Sequence, residues 1–469
     1  EERIIWGGYA EAMLGLFRRA RGEEQANTTV LISSFHPLIS RNILATALCE
    51  KLTLAGARAI LAVPEKKRQF FESEFGRDGV AVAGVSRDLA WRDRLLRYLA
   101  LAAVGTRSLA IKRRSDMGGS GRILARLIAN RPLARRVIRA LDVLLTPAGR
   151  FGPLLDYERP DLVFSTDIQN ENDVRLIREA KRRGIPVIGM VRSWDNLTAK
   201  GLIRAVPDTL VVQNEITRRE AMELHGIDPE RIRVIGIPHY DRYGAPAHER
   251  GEFFRTLGLD PSRRLVVYAP VGDRYVGGKP VDRDVILLLA SFLPPTHQLL
   301  VRLPPTDSVN LEGLGQPPSV TVMRPGRQLA GDPAMFRSNE LSPADDEILQ
   351  DTIYHADLVV SGPSTFAVDA AVFDKPAILI VFDGQQSNAY DASIIRYYDY
   401  EHFRPLLASG GVRLVRDEAS LKRELARYLA DPSRDAAGRR RIVEEQCWRP
   451  DGHATERLAA FLLHSLRIS

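Results

Sequence analysis

Short unbroken apolar runs and longer amphipathic ones alternate along most of this chain. Residues 29–34 (TVLISS) form a β-branched run, which predicts a buried strand. Residues 41–54 then place apolar side chains three and four apart, as on one face of a helix, and Gly56 ends the pattern before a second apolar run at 59–63. Strand, helix and strand in that order make a βαβ unit with parallel strands. The rhythm returns with strands at 161–165, 185–190, 209–212 and 233–236 and helices at 172–183 and 218–224.

Residues 238–252 (PHYDRYGAPAHERGE) combine Pro, Gly and charge and read as a linker. Beyond it the alternation restarts, with strands at 265–268, 298–302, 320–323, 357–361 and 377–382 and helices at 281–292, 345–355 and 365–373. A helical tail from 418, broken near Pro432 and at Pro450, is expected to pack back across the hinge. The predicted fold class is α/β: two Rossmann-like domains, residues 1–238 and 239–469, facing across a cleft, the first carrying a helical insertion at about 87–150.

Composition leaves this picture in place, since 45% hydrophobic and 27% charged residues describe a globular chain. Charge placement adds to it. Fourteen Lys and Arg fall between Arg87 and Arg139 against three Asp, a local net of +11 in a chain whose total is +7. Within that stretch residues 91–110 set Leu95, Leu96, Leu99, Ala102 and Ala103 on one side with Arg92, Arg94, Arg97 and Trp91 nearby. A basic amphipathic helix with an interfacial Trp suits an anionic membrane surface, the alternative being a solvated helical insertion. Few aromatics are interleaved with the arginines, which argues against nucleic acid. Cys49 and Cys447 stand far apart with no metal-ligand spacing near them, so neither a disulfide framework nor a zinc site is expected. No apolar run reaches the roughly 18 residues of a spanning helix, and no signal-peptide pattern opens the sequence.

The chemistry concentrates where strands end. Residues 357–380 (DLVVSGPSTFAVDAAVFDKPAILI) lead a strand through Ser361, Ser364 and Thr365 directly into a helix, so loop amides and the helix N-terminus converge on one point, an arrangement suited to phosphate. Ser and Thr there also read as ordinary helix caps. Asp369 lies one turn along the same helix, where a carboxylate can accept from sugar hydroxyls. Residues 192–201 (RSWDNLTAKG) follow another strand and carry Asp195 and Asn196 to the carboxyl edge of the sheet, where open α/β sheets bind ligands; an Asx turn with a packed Trp194 is the plainer reading. His36 follows the first strand at the same edge. Gly272 and Arg274 sit in the loop after the strand at 265–268, and Arg302 ends the next strand; for both arginines a surface ion pair is the alternative.

These segments resemble the GT-B glycosyltransferases, in particular the CDP-glycerol glycerophosphotransferase-like group. The stretch from Ser361 through Ser364, Thr365 and Asp369 to Lys375-Pro376 is similar to their donor-binding loop, residues 234–241 (VIGIPHYD) to the G-x-P-x-x-D element closing their first domain, and residues 192–201 to a Ser-Trp-Asp-Asn-Leu-Thr-x-Lys-Gly signature. The resemblance implies that Ser361, Ser364, Thr365, Gly272, Arg274 and Arg302 serve the donor pyrophosphate and Asp369 its ribose. It further implies that His36 deprotonates the acceptor, a task imidazole suits because its pKa lies near neutrality, and that Asp195 and Asn196 orient a substrate. The Gly-rich turn that precedes this His in many relatives is lacking, as is the His after the Arg-Pro element. The implied enzyme is a metal-independent transferase with no bound cofactor, which moves a glycosyl or glycerophosphate unit from a nucleotide donor (UDP, CDP, CMP, GDP or dTDP) to a surface-polysaccharide or lipid-linked acceptor. It would be cytoplasmic and peripheral on the inner face of the membrane. A nucleotide-sugar 2-epimerase of the same fold and a non-enzymatic lipid- or RNA-binding protein are the rival readings.

Overall fold

The computed structural model describes residues 28–86, 90–116, 118–146, 149–329 and 339–468. Arg87 and Asp88, counted above in the basic stretch, lie outside them.

Two parallel sheets organise the chain. The first contains β1 (Thr29–Ser33), β2 (Arg58–Pro64), β3 (Val80–Val85), β4 (Leu162–Ser165), β5 (Val187–Met190), β6 (Thr209–Val212) and β7 (Ile232–Val234). Their order is β3-β2-β1-β4-β5-β6-β7. The second contains β8 (Arg264–Ala269), β9 (His297–Arg302) and β10 (Val320–Met323), then, past a two-stranded antiparallel ribbon of β11 (Arg327–Gln328) and β12 (Asn339–Glu340), β13 (Leu358–Ser361), β14 (Ala377–Ile380) and β15 (Val412–Val415). It is ordered β10-β9-β8-β13-β14-β15. Each order reverses once, between β1 and β4 and between β8 and β13, and the crevice at such a reversal is where open α/β sheets take ligands. The central strands are buried along their length, as expected of sheets covered on both faces, so their sequences run apolar rather than alternating. Two Rossmann-like domains therefore face one another across a cleft.

Several local expectations differ from what forms. β3 (VAVAGV) and β15 (VRLV) were not among the expected strands; both are short edge strands, and small or alternating residues weaken their signal. The single helix expected over 41–54 is instead a short turn at Pro37–Ile39, a π-helical turn at Ser40–Leu44 and a helix at Leu48–Leu54. A π turn admits an extra residue, a distortion that often marks functional positions, and this one carries Arg41. The 238–252 linker holds a 3-10 turn at Pro238–Arg242 and the start of a helix at Arg250–Thr256.

The insertion is four helices: α1 (Trp91–Ala103), α2 (Arg107–Asp116), α3 (Gly118–Ile128) and α4 (Pro132–Leu145). Leu96, Ala102 and Ala103 of α1 are buried, and Ala100, Ala103, Val104, Leu109 and Ile138 make a small core of their own. The apolar side expected to meet a membrane is thus largely used inside the protein.

After β13 comes α5 (Phe366–Val372), and the chain ends in α6 (Ala454–Ile468). Leu458, Ala459 and Leu462 of α6 join the core beneath β1 and β2, so the last helix packs on the first sheet. Its start is fastened by Asp241, whose carboxylate accepts from the amides of Ala454 (2.9 Å) and Thr455 (2.6 Å). The Asp of the G-x-P-x-x-D element is thereby a helix cap supplied from the hinge. Asp241→Ala should lower stability by about 1–2 kcal/mol in urea unfolding, with α6 amides the first to lose hydrogen-exchange protection; unchanged stability and protection would remove this role.

Candidate functional site in the interdomain cleft

On the first-domain side, the carboxyl ends of β1, β4 and β5 bring together His36, Asp167, Arg192 and the 193–200 loop. Asp167 is buried and its carboxylate accepts from Arg192 Nε (2.7 Å) and Asn196 Nδ2 (3.2 Å). Burial would raise its pKa, but Arg192, Lys200 and His36 hold it low. Asn196 therefore props Asp167, while its own Oδ1 is buried without a partner. Asp195 stays ionised too: burial opposes its charge, but Lys200, His402 and Arg192 hold its pKa well below the usual carboxylate range. Burial and Arg192 in turn lower Lys200 to about 8. Trp194 lies against the second domain, 5.0 Å from His402 and 5.1 Å from Phe403 between ring centres, so the packed-Trp reading holds for that residue.

His36 caps the turn at Pro37–Ile39, its Nδ1 accepting from the Leu38 amide at 3.2 Å, which leaves Nε2 as the other functional nitrogen. Burial, reinforced by Arg192, pushes its pKa well below 6.5, with Asp167 pulling the other way. Beneath this edge Ser33 and Ser165 donate to Asp173, whose pKa burial and Asp167 push up to about 7.

On the second-domain side and at the hinge, Asp369 of α5 meets His239, Tyr240, Arg41 and Arg302. Asp369 is 2% exposed and burial raises its pKa, while Arg41, Tyr240 and Arg302 lower it. His239 Nε2 stands 4.0 Å from Asp369 Oδ1. Burial and Arg41 lower Arg302 to about 10, and burial raises Asp346 to about 6 against the pull of Arg41. A cavity of about 110 Å³ joins both sides, lined among others by Arg41, Arg192, Trp194, His239, Thr365 and Asp369.

The remaining expected donor residues lie apart from that cavity. The Gly272 amide donates to Asp282 at 3.0 Å, and a side chain at 272 would meet Asp307 at 2.6 Å. Arg274 is directed at Asp307 (3.7 Å) and the Tyr275 ring, half exposed. Ser361 is buried, and Ser364 accepts from the Phe366 amide at 3.2 Å as a local cap. Gly362 is required by close packing, since a Cβ there would fall 2.3 Å from Val271. The loop at 361–365 is not walled off: Pro363, Ser364 and Thr365 are partly exposed and Thr365 lines the cavity. Among the described residues no cluster of three His, Cys, Asp or Glu is arranged to hold a metal ion.

Sequence reasoning missed Arg41, Asp167, Arg192, His239 and Asp346. Arg192 and His239 stood inside the motifs already singled out, and Asp167 sits two residues past the end of a predicted strand, a position the carboxyl-edge rule covers. Arg41 was hidden in an apparently regular amphipathic run that the π turn reshapes.

No family model matches this sequence. Among curated proteins it is similar to the lipid-A-disaccharide synthases of Syntrophotalea carbinolica (24% identical, covering 72% of this chain and 79% of the relative) and Geobacter metallireducens (26%, covering 67% and 77%). Among solved structures it resembles the UDP-GlcNAc 2-epimerase from Neisseria meningitidis bound to UDP-GlcNAc (TM-score 0.54, 11% identity, 93% and 100% covered) and the wall teichoic acid polymerase TagF (TM-score 0.51, 13% identity, 94% and 89% covered). The chain thus has the two-domain fold of these structures and is similar in sequence to glycosyltransferases, in line with the resemblance to GT-B enzymes.

In a GT-B enzyme using His36 as general base, the imidazole must be neutral to take a proton. Because burial and Arg192 hold its pKa well below 6.5, kcat should keep its plateau as pH falls through 6.5 and decline only at more acid pH. His36→Ala should cost about 10²–10⁴ in turnover with donor affinity nearly intact, measured by initial rates and calorimetry. Near-normal turnover would discard the assignment.

Proposed function

We propose that this GT-B enzyme transfers a glycosyl unit from a nucleotide-activated donor to a lipid-linked or surface-glycan acceptor, with residues up to 238 as the acceptor half and those from 239 as the donor half. The observation that carries the reading is the cavity, which Arg41 and Arg192 line together with Thr365 of the phosphate-suited loop, with Arg302 close to Arg41 and Lys200 close to Arg192. A diphosphate would supply negative charge beside Arg41 and Arg302, whose neighbouring carboxyls Asp346 and Asp369 are pushed toward the neutral form. His36 is the general base, Thr365 and the 361–365 amides hold the pyrophosphate, and Asp195 orients the acceptor. Gly272, Arg274 and Ser361 act from behind the loop, through Asp282, Asp307 and packing. UDP is the first nucleotide to test, since solved neighbours are complexes with UDP or UDP-GlcNAc.

The acceptor half also carries a surface fitted to an anionic membrane, on α3 and α4 rather than α1. Ile123 and Leu127 repeat four residues apart on α3, and Leu133, Val137 and Leu144 lie along α4; Leu133 and Leu144 are 71% and 78% exposed. Exposed Arg122, Arg126, Arg131 and Arg136 flank them, each worth about 1 kcal/mol near anionic lipid. Among the described residues no helix is long and apolar enough to cross a membrane, so this contact would be peripheral, on the cytoplasmic face. The ridge suits a lipid-linked acceptor and has no evident use in a 2-epimerase, whose likeness at 11% identity speaks to fold alone.

Thermal shift with UDP, CDP, CMP, GDP and dTDP should give stabilisation by one nucleotide, and silence across the panel would favour a binding protein over an enzyme. Co-sedimentation with phosphatidylglycerol vesicles should fall at least tenfold in a Leu133→Ser, Val137→Ser, Leu144→Ser variant. Equal binding by wild type and variant would remove the ridge from the account.

A further inference from the structure

One polar atom on the first domain's wall of the cavity stands without a partner. Gln213, the residue after β6, is 6% exposed and lines the cavity, and its Oε1 is buried with no hydrogen bond inside the protein. Its Nε2 donates to the Val191 carbonyl at 2.8 Å. Turning the amide over would set Oε1 against that carbonyl, so the orientation is fixed and the free atom is an acceptor. The backbone is held as well: the Gln213 carbonyl accepts from the Gly236 amide at 3.1 Å, and Asn214 caps the helix at Glu215–His225 through the Thr217 amide at 2.8 Å.

The surroundings narrow what can donate to this atom. Met190 precedes Val191 and Ile237 follows Gly236, so both residues whose backbones hold Gln213 are flanked by an apolar side chain that lines the same cavity. Arg41 and Arg192 line it too. An ammonium group would meet those cations and leave its further N–H donors among apolar side chains. A hydroxyl can donate, but it brings two lone pairs and no apolar part. An amide N–H donates once and offers no acceptor on its nitrogen. In an N-acyl group it comes with a hydrocarbon end for Met190 and Ile237 and a carbonyl oxygen for an arginine.

We propose that Gln213 is a specificity residue whose Oε1 accepts from the amide N–H of an N-acylated amino sugar, the acyl group packing on Met190 and Ile237. The proposal rests on the glycosyl-transfer reading and deepens it by naming the class of sugar. A ligand without the N–H leaves the buried acceptor unpaired, which is the source of the discrimination. The sugar is either the transferred unit or the end of the acceptor, and two ligand series separate the two.

Three sugars would be compared that differ at C2 alone: acetamido, its O-acetyl ester isostere, which lacks the N–H, and hydroxyl. Each is offered as its UDP conjugate and, to protein saturated with UDP, as its methyl glycoside, with affinities read by calorimetry or ligand-observed NMR. The proteins are wild type, Gln213→Met, which keeps the length of the side chain and removes the acceptor, and Gln213→Glu, which keeps an acceptor oxygen. In one of the two series wild type should rank acetamido above both others, by about tenfold over the ester. Gln213→Met should bind acetamido and ester alike, and Gln213→Glu should keep part of the preference. UDP alone should bind all three proteins equally, which separates a lost hydrogen bond from a lost fold, and Gln213→Glu serves if Gln213→Met fails this control. No preference for acetamido over the ester in either wild-type series, or a preference that survives in Gln213→Met, overturns the assignment while leaving the donor reading standing. Failure of wild type to bind UDP or any conjugate overturns both.

Discussion

The cleft of this protein depends on holding the carboxyl edges of two parallel sheets over one another, because each edge alone forms only one of its walls. Three kinds of contact impose that constraint. At the back, Asp241 caps α6 and returns the end of the chain to the first domain's core. Across the middle, Lys67 pairs with Glu340 at 2.8 Å, and Ser40 donates to the same carboxylate at 2.9 Å, all three side chains buried. Removing one partner of a buried pair strands the other's charge, typically at about 3–5 kcal/mol, so this contact fixes a position more than it adds stability. At the front, Arg107 meets Asp399 at 2.7 Å, and Glu401 accepts from the Ser108 amide at 3.1 Å. Of these the Arg107–Asp399 pair is largely exposed and therefore weak, whereas Ser108 is buried.

Within that frame the ionisation states form a pattern. Carboxylates close to cations on the first-domain side, Asp167 and Asp195, stay charged, whereas Asp346 and Asp369 at the hinge are pushed toward the neutral form, and Arg302 and Lys200 are lowered. Burial is the largest influence in every case, the mark of a dry cleft whose charges are imperfectly matched. A diphosphate would restore the cations, and through linkage would be bound with a change in protonation at Lys200 and Asp346. His36, kept neutral by the same cations, would gain basicity as the anion arrives. Donor binding and activation of the base would then be coupled through charge alone.

The architecture was legible because parallel sheets buried on both faces write themselves as unbroken apolar runs, and the paired βαβ rhythm gave two domains. Edge strands β3 and β15 were lost because small or alternating residues carry little of that signal. In the site, the motif loops lie at the carboxyl edges of the sheets, and some of their groups are engaged within the protein. Asn196 was expected to meet a substrate, yet its amide holds Asp167; Gly272 was expected to offer its amide to phosphate, yet Asp282 takes it. Such assignments depend on which neighbour reaches a group first, and here the deciding carboxylates lie 29 and 10 positions away, outside either motif. Asp369 was named from its place on a helix, but its partners His239 and Arg41 come from the hinge and the π turn, and no local pattern joins those three segments.

The helical insertion is bound to the carboxyl edge of the first sheet by several hydrogen bonds. Thr106 donates to the Thr198 carbonyl at 2.6 Å, Lys112 to the Ala199 carbonyl at 2.9 Å, and the Leu202 amide to the Ala100 carbonyl at 3.0 Å. Gly201 makes the closest approach possible: with φ at +88°, it lies where any Cβ would come within 2.9 Å of the Ala100 carbonyl group. A glycine is needed there on both counts, since only glycine adopts that φ without strain and only glycine leaves room for the neighbouring backbone. The last residue of the 192–201 motif is thus the seam between the insertion and the loop carrying Asp195. That seam, backbone against backbone, ties α1 of the insertion to the loop carrying Asp195. A surface of the insertion resting on lipid would then bear on the first domain's wall of the cleft through this contact.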